Sequence, residues 1–184
     1  KDINLTGWSI AYTSASTMNF GAGQALSGII KAHSYFLVTG STGTAGQALP
    51  VIPDSTTTLN PSGSTGGALV LAKKTTAVTG VDDPDAIDLL AYTNGTAVYK
   101  NPLYWGSPIS DSTIGGGTIQ RKTNIGTDPR SAYGIGNGWF TKDPSKDFVL
   151  NKPSSANYSD EMVVHNSKFM LSPDGSKITY TKSN

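Results

Sequence analysis

Residues 8–14 alternate. Trp8, Ile10 and Tyr12 fall on one side of an extended chain, and Ser9, Ala11 and Thr13 on the other. A period of two marks a half-buried strand. The Trp8 side is expected to face the core, where truncating Trp8 to Ala would cost about 3–5 kcal/mol. Residues 14–23 are polar and contain glycine, so they form a turn. Leu26 to Ile30 lead into Tyr35-Phe36-Leu37-Val38, a second strand. Residues 49–53 carry two prolines, each of which removes a ladder donor. That stretch is expected to be irregular or at an edge, leading to Asp54. Residues 68–72 form a short apolar run, the signature of a strand covered on both faces. Residues 86–92 give the next strand, with Asp88 as its one charged member. Residues 102–117 read as a long loop, 119–122 as a short strand, and 148–150 as an edge piece.

No apolar 3.6-residue repeat lasts beyond about two turns. Short strands separated by turn clusters predict an all-β sandwich or barrel. The last stretch differs. Residues 168–171 and 177–180 flank Ser172-Pro173-Asp174-Gly175, and Pro-Asp-Gly is hairpin turn chemistry. The expected division is a sandwich over residues 1–158 and a strand plus hairpin over 159–184. The latter is either an addition to the sandwich or the start of a following domain.

Composition narrows the picture. Of the 184 residues 15% are charged, and 3 Trp, 8 Tyr and 5 Phe supply core bulk, unlike a disordered chain. A formal net charge of +1 gives no field to steer nucleic acid. Without cysteine there is no disulfide framework and no thiolate chemistry. No run reaches the ~18 apolar residues of a membrane helix, so membrane insertion is not expected. No basic-then-apolar start marks a signal peptide within these residues.

In this order, Leu5-Thr6-Gly7-Trp8-Ser9-Ile10, Tyr35-Phe36-Leu37-Val38, Leu49-Pro50 with Asp54, Gly66-Gly67-Ala68-Leu69-Val70-Leu71, Ile87-Asp88-Leu89-Leu90-Ala91-Tyr92 and Ile119-Gln120-Arg121-Lys122 resemble the lamin-tail domain in its bacterial extracellular form. Asp147-Phe148, Pro153 and Asn157 extend the likeness to about residue 157. The resemblance implies an immunoglobulin-like β-sandwich, here with an additional C-terminal β-hairpin, and no enzymatic centre. It implies an accessory module of a secreted or cell-surface bacterial protein, such as a nuclease, phosphatase, surface-layer or cell-wall protein. It also implies a first strand, acidic-aromatic and ending in Asn-Pro, ahead of Lys1. The expectation is that a preceding segment or a neighbouring chain supplies it, unless the 168–180 hairpin fills that edge.

Candidate chemistry is sparse. Asp82, Asp83, Asp85 and Asp88 are dense enough to ligate Ca²⁺, which takes six to eight oxygens. The spacing is not that of an EF-hand, and Asp beside Pro84 equally caps a turn. His33 and His165 are the two histidines, and neither lies in a nucleophile context. Tyr99, Tyr104, Trp105, Trp139 and Phe140 sit in loop-like stretches. They either stack on sugar rings, anchor a protein, or fold back over the sandwich end. Arg121, Lys122 and Arg130 form a small basic patch, either a solvated face or a weak DNA contact. The expected role is therefore a non-enzymatic interaction module whose partners are other protein domains. Cell-wall glycan binding through Tyr99, Tyr104, Trp105 and Trp139 is the first alternative, and weak DNA contact the second.

Overall fold

A computed structural model describes residues 1–17, 19–32, 34–41, 51–62, 64–95, 104–111, 118–121, 140–151, 170–171 and 178–179. In chain order the strands are β1 (Ile3–Asn4), β2 (Ser9–Ser14), β3 (Gln24–Ala25), β4 (Ile29–Ile30), β5 (Val38–Thr39), β6 (Ser55–Thr56), β7 (Gly66–Ala72), β8 (Ala86–Thr93), β9 (Ile109–Ser110) and β10 (Thr118–Arg121). A one-turn helix α1 (Pro144–Asp147) follows, then β11 (Phe148–Asn151), β12 (Met170–Leu171) and β13 (Ile178–Thr179). The chain is therefore all-β in class.

The centre is a five-stranded sheet in the order β3-β2-β7-β8-β9. Its three long strands are the runs whose sequence signal is strongest. β2 and β7 pair antiparallel from Ser9↔Ala72 to Ser14↔Gly67. β7 and β8 pair antiparallel, with the register shifting between Leu71 and Ala72. β9 joins parallel to β8 through Tyr92↔Ile109 and Thr93↔Ser110. That two-residue strand lies inside the stretch expected to be loop, because its pairing comes from the end of β8 and not from any local repeat.

The register sets two faces. On one, Ala11, Ala68, Val70, Ala72, Leu89 and Ala91 are buried together beneath Phe20 and Val78, with Tyr104 and Trp105 packed against them. On the other, Tyr92 and Ile109 are buried, and Tyr12, Leu90, Ile119, Phe148 and Leu150 pack around them. The last three belong to the antiparallel β10–β11 ribbon, which runs from Thr118↔Asn151 to Arg121↔Phe148. The sheet is thus covered on both sides.

Covering both sides inverts one expectation. In β2 the buried positions are Ser9, Ala11 and Thr13, while Trp8, Ile10 and Tyr12 are half-buried. Alternation separates the two faces of a strand but does not say which is covered more tightly. Here the small residues face the alanine-lined layer, and Ser9 meets its burial by donating its hydroxyl to the Lys74 carbonyl. Trp8 instead lies beside the Lys73 ammonium, 5.3 Å from the ring centroid. Its truncation should cost less than the loss of a fully buried tryptophan.

The second expected strand also shrinks. Of residues 35–38 only Val38 is in a strand, continuing to Thr39 and pairing parallel with Ser55–Thr56. Leu37 gives its N–H to the Asp54 carboxylate at 2.7 Å, and its carbonyl accepts from Asp54 and Ser55. A side chain takes the place of a ladder partner. After the prolines of the 49–53 stretch the chain enters a two-residue strand, β6, in keeping with an edge. β12 and β13 form the expected C-terminal hairpin, with Met170↔Thr179 and Leu171↔Ile178, as a separate two-stranded sheet. β1 and β4 make another such pair, which the sequence pattern did not announce.

Two glycines open β7 for steric reasons. Gly66 has φ +111°, and a Cβ there would lie 2.4 Å from the Tyr92 carbonyl oxygen. At Gly67 a Cβ would lie 2.3 Å from the Tyr12 ring and 2.5 Å from the Thr13 carbonyl oxygen. The Tyr12 ring therefore lies directly on glycine backbone. That position lets its hydroxyl accept from Ser62 N at 3.0 Å and donate to Gly66 O at 3.3 Å. Gly67→Ala is expected to destabilise by about 1–3 kcal/mol through overpacking. In a Tyr12→Ala background part of that cost should vanish, which a denaturant-unfolding double-mutant cycle measures.

Candidate functional site

Among the described residues, several buried or half-buried charged groups bind the chain's own backbone and one another. The loop from Val78 to Asp85 shows how. Asp83 is buried, and its carboxylate accepts from Thr79 N at 2.9 Å, Thr79 Oγ1 at 3.1 Å and Asp85 N at 3.0 Å. Lys74, itself mostly covered, ion-pairs with Asp83. The Lys74 hydrogen bond, with the Thr79 backbone bond next in weight, holds the Asp83 carboxyl well below the ordinary value of 3.8. A buried carboxylate is tolerated because nearby donors and one cation answer its charge.

A second acidic centre lies around α1. Asp143 caps the helix: its side chain accepts from Ser145 N, Pro144 occupies the first turn, and Ser107 N also donates to it. The Ser145 hydroxyl bond, followed by Lys146, lowers the Asp143 carboxyl to about 2. Asp147 is 2% exposed. It accepts from Thr141 N at 2.8 and 2.9 Å, Thr141 Oγ1 at 2.7 Å and Asp143 N at 3.3 Å. Between those donors Lys142 has φ +60°, a conformation that side-chain residues rarely adopt. The converging bonds to Asp147 stabilise that turn against its strain.

Arg121 connects the centres. It ends β10, and its guanidinium reaches β8 and α1 together. Nη2 lies 2.6 and 2.5 Å from the two Asp88 carboxylate oxygens, and Nη1 lies 3.7 Å from Asp147 Oδ2. The guanidinium carbon stands 4.1 Å from the Phe148 centroid and 5.4 Å from that of Phe140. The Arg121 side chain is 14% exposed. Flat apolar faces and two carboxylates make this a structural cation with little surface to offer a phosphate.

The aromatic candidates described are likewise engaged. Trp105 donates its indole N–H to Val81 O at 2.7 Å and meets Phe140 edge-to-face at 5.8 Å. The Lys142 ammonium stands 5.1 Å from the Trp105 centroid. Tyr104 and Trp105 both pack against the alanine-lined core. They fold back over the sheet, the last of the three arrangements open from sequence. Tyr99, Trp139, Lys122, Arg130 and both histidines lie outside the described residues.

The four aspartates do not converge on one point. Asp83 turns into its own loop, Asp88 pairs with Arg121, Asp82 is exposed and Asp85 is half-buried. Among the described residues no group of three or more His, Cys, Asp or Glu could hold a metal ion. The sequence marked Asp54 and Asp147 only as motif residues and did not single out Asp143, yet all three capture backbone N–H groups. For Asp143 a signal existed, since Asp followed by Pro is a helix-start signature. No family model, no curated protein and no solved structure matches this chain.

The Asp83 and Asp143 carboxyls have depressed folded values, so their contribution is complete above the ordinary value of 3.8 and is lost as pH falls toward the folded values. Stability against urea should therefore decline below about pH 4. Asp83→Asn should lower stability at neutral pH and make the acid-side decline shallower. An equal slope in both proteins would show that Asp83 is not responsible.

Proposed function

We propose that this chain is a non-catalytic interaction module of a secreted or cell-surface bacterial protein, built as an immunoglobulin-like sandwich of the lamin-tail kind. The observation that carries the proposal is where large apolar side chains point outward. Ile52 is 92% exposed, Tyr35 55%, Ile29 51% and Ile3 45%. Among the described residues, all four lie in the first third of the chain, in two-residue strands or the segments joining them. Exposed apolar side chains that gather into one patch anchor a protein partner, and that is the role proposed for these four. At the same time Asp83, Asp143, Asp147 and Arg121 are occupied in holding loops and strands. That use suits a scaffold better than a reaction centre.

The glycan and nucleic-acid readings draw less support. Trp105 and Tyr104 pack against the core, and Arg121 sits between carboxylates. A flat sugar-stacking face or a phosphate-binding patch needs those groups turned outward.

The test is photo-crosslinking in the producing cells. A photoreactive side chain replaces Ile52, Tyr35 or Ile29 in turn, with Lys146, exposed on α1, as the control position. Discrete protein adducts from the three apolar positions, absent from the control, are expected. Adding Ile29→Asp should weaken the adducts formed at position 52. Adducts to polysaccharide, or equal labelling from all four positions, would contradict the proposal.

A further inference from the structure

The end of β8 carries an Asn-Gly step, Asn94-Gly95, at the point where the sheet holds the 62–65 loop. Asn94 donates its side-chain amide to Ser64 O at 2.7 Å and its backbone N–H to Thr65 O at 3.4 Å. Two tyrosine hydroxyls grip the same loop. Tyr92 donates to Ser62 O at 2.9 Å, and Tyr12 accepts from Ser62 N at 3.0 Å. Ser62 Oγ in turn stands 2.9 Å from Thr65 Oγ1. Gly95 is exposed, and the nearest atom a side chain there would meet is Ser110 Oγ, at 3.6 Å.

We infer that Asn94-Gly95 is a site of spontaneous deamidation, gated by breaking of the bonds that hold Asn94 to Ser64 and Thr65, and that it irreversibly loosens this attachment once it occurs. The chemistry uses water alone. The Gly95 backbone nitrogen attacks the Asn94 side-chain carbonyl carbon and gives its proton to solvent base. A carbon–nitrogen bond forms, the side-chain nitrogen leaves as ammonia, and a cyclic imide results. One water then opens the imide at either carbonyl, leaving aspartate or isoaspartate. The sum is asparagine plus water giving acid plus ammonia, with nothing oxidised or reduced. Glycine at the second position removes the side chain that would hinder the attack.

The folded geometry supplies the gate. The leaving nitrogen is held by Ser64 O, and the attacking Gly95 N–H points to Thr93 Oγ1 at 3.3 Å. Both bonds hold the reacting groups in their folded positions, so the rate should follow local opening. The product cannot restore the clamp. A carboxylate has no hydrogen to give Ser64 O and places negative charge against that carbonyl. Isoaspartate also lengthens the backbone at the residue that donates to Thr65 O.

The full chain is incubated folded at mildly alkaline pH, then digested and analysed by mass spectrometry with separation of the two acid isomers. Asn137-Gly138 serves as a second Asn-Gly step in the same digest. Replacement of the amide by an acid at Asn94, in both isomers, is expected, more slowly than in chain unfolded by urea. Tyr92→Phe, which removes one grip on the loop, should accelerate it. Sub-denaturing urea on the wild type should do the same, and keeps the test valid if Tyr92→Phe does not fold. Hydrogen exchange at Ser62, Ser64 and Thr65 should rise in Asn94→Asp. The inference is overturned if folded Asn94 stays intact while the unfolded chain converts. A rate indifferent to urea, or unchanged exchange in Asn94→Asp, would equally overturn it.

Discussion

A single guanidinium is shared by two carboxylates on different elements, and the arrangement of the second layer depends on it. Arg121 leaves β10, meets Asp88 on β8 and faces Asp147 of α1, with Phe148 and Phe140 on its flanks. Among the described side chains, the β10–β11 ribbon otherwise meets the sheet through Ile119, Phe148 and Leu150 around Tyr92 and Ile109. Apolar contact is non-directional. It favours covering the sheet but does not fix where along β8 the ribbon lies. The guanidinium does fix it, because its planar donors have to meet carboxylates on two separate elements.

The same device recurs without the arginine. Asp83 gathers Lys74, Thr79 and Asp85, and Asp54 takes the Leu37 N–H where a strand partner is lacking. Asp147 gathers Thr141 and Asp143 around a left-handed Lys142. The described strands outside β2, β7, β8, β10 and β11 are two residues long. Short strands leave many backbone N–H groups without ladder partners, and buried ones must find others. Aspartate, with a short side chain and strong acceptor oxygens, meets that need. Among the described residues, much of the charge is thus committed to the chain's own loops, while isoleucine and tyrosine are presented outward.

The legible part of the fold was the part with local repeats. β7 and β8 stand out as apolar runs of strand length between turn residues, and the Pro-Asp-Gly step in the sequence foreshadows the pairing of β12 with β13. β2 was legible as a strand but not in its orientation. Trp8 and Tyr12 dominate the pattern by size, yet the tighter layer selected Ser9, Ala11 and Thr13 because β7 and β8 supply alanines opposite. β9 was hidden, since two residues pairing parallel with the end of β8 leave no period to read. In the candidate site, Arg121 and Asp88 were each singled out, but for phosphate and metal. Their pairing joins residues far apart in sequence, and charge type alone cannot distinguish an internal partner from an external one. Trp105 was ambiguous for the same reason. Its fold-back rests on Val81 and Phe140, which only the assembled chain brings near.

The most direct test of this account is hydrogen exchange, read with urea unfolding, on wild type, Arg121→Lys and Arg121→Ala. Arg121→Ala should cost about 2–3 kcal/mol, less than a fully buried pair because Asp88 is 38% exposed. Lysine should recover only part of it, since a point charge cannot span Asp88 and Asp147 together. Exchange should rise first at 118–121 and 148–151, while β2, β7 and the first half of β8 stay protected. Full recovery by lysine, or exchange rising evenly across the sheet, would contradict the claim that one shared guanidinium sets the ribbon on the sheet.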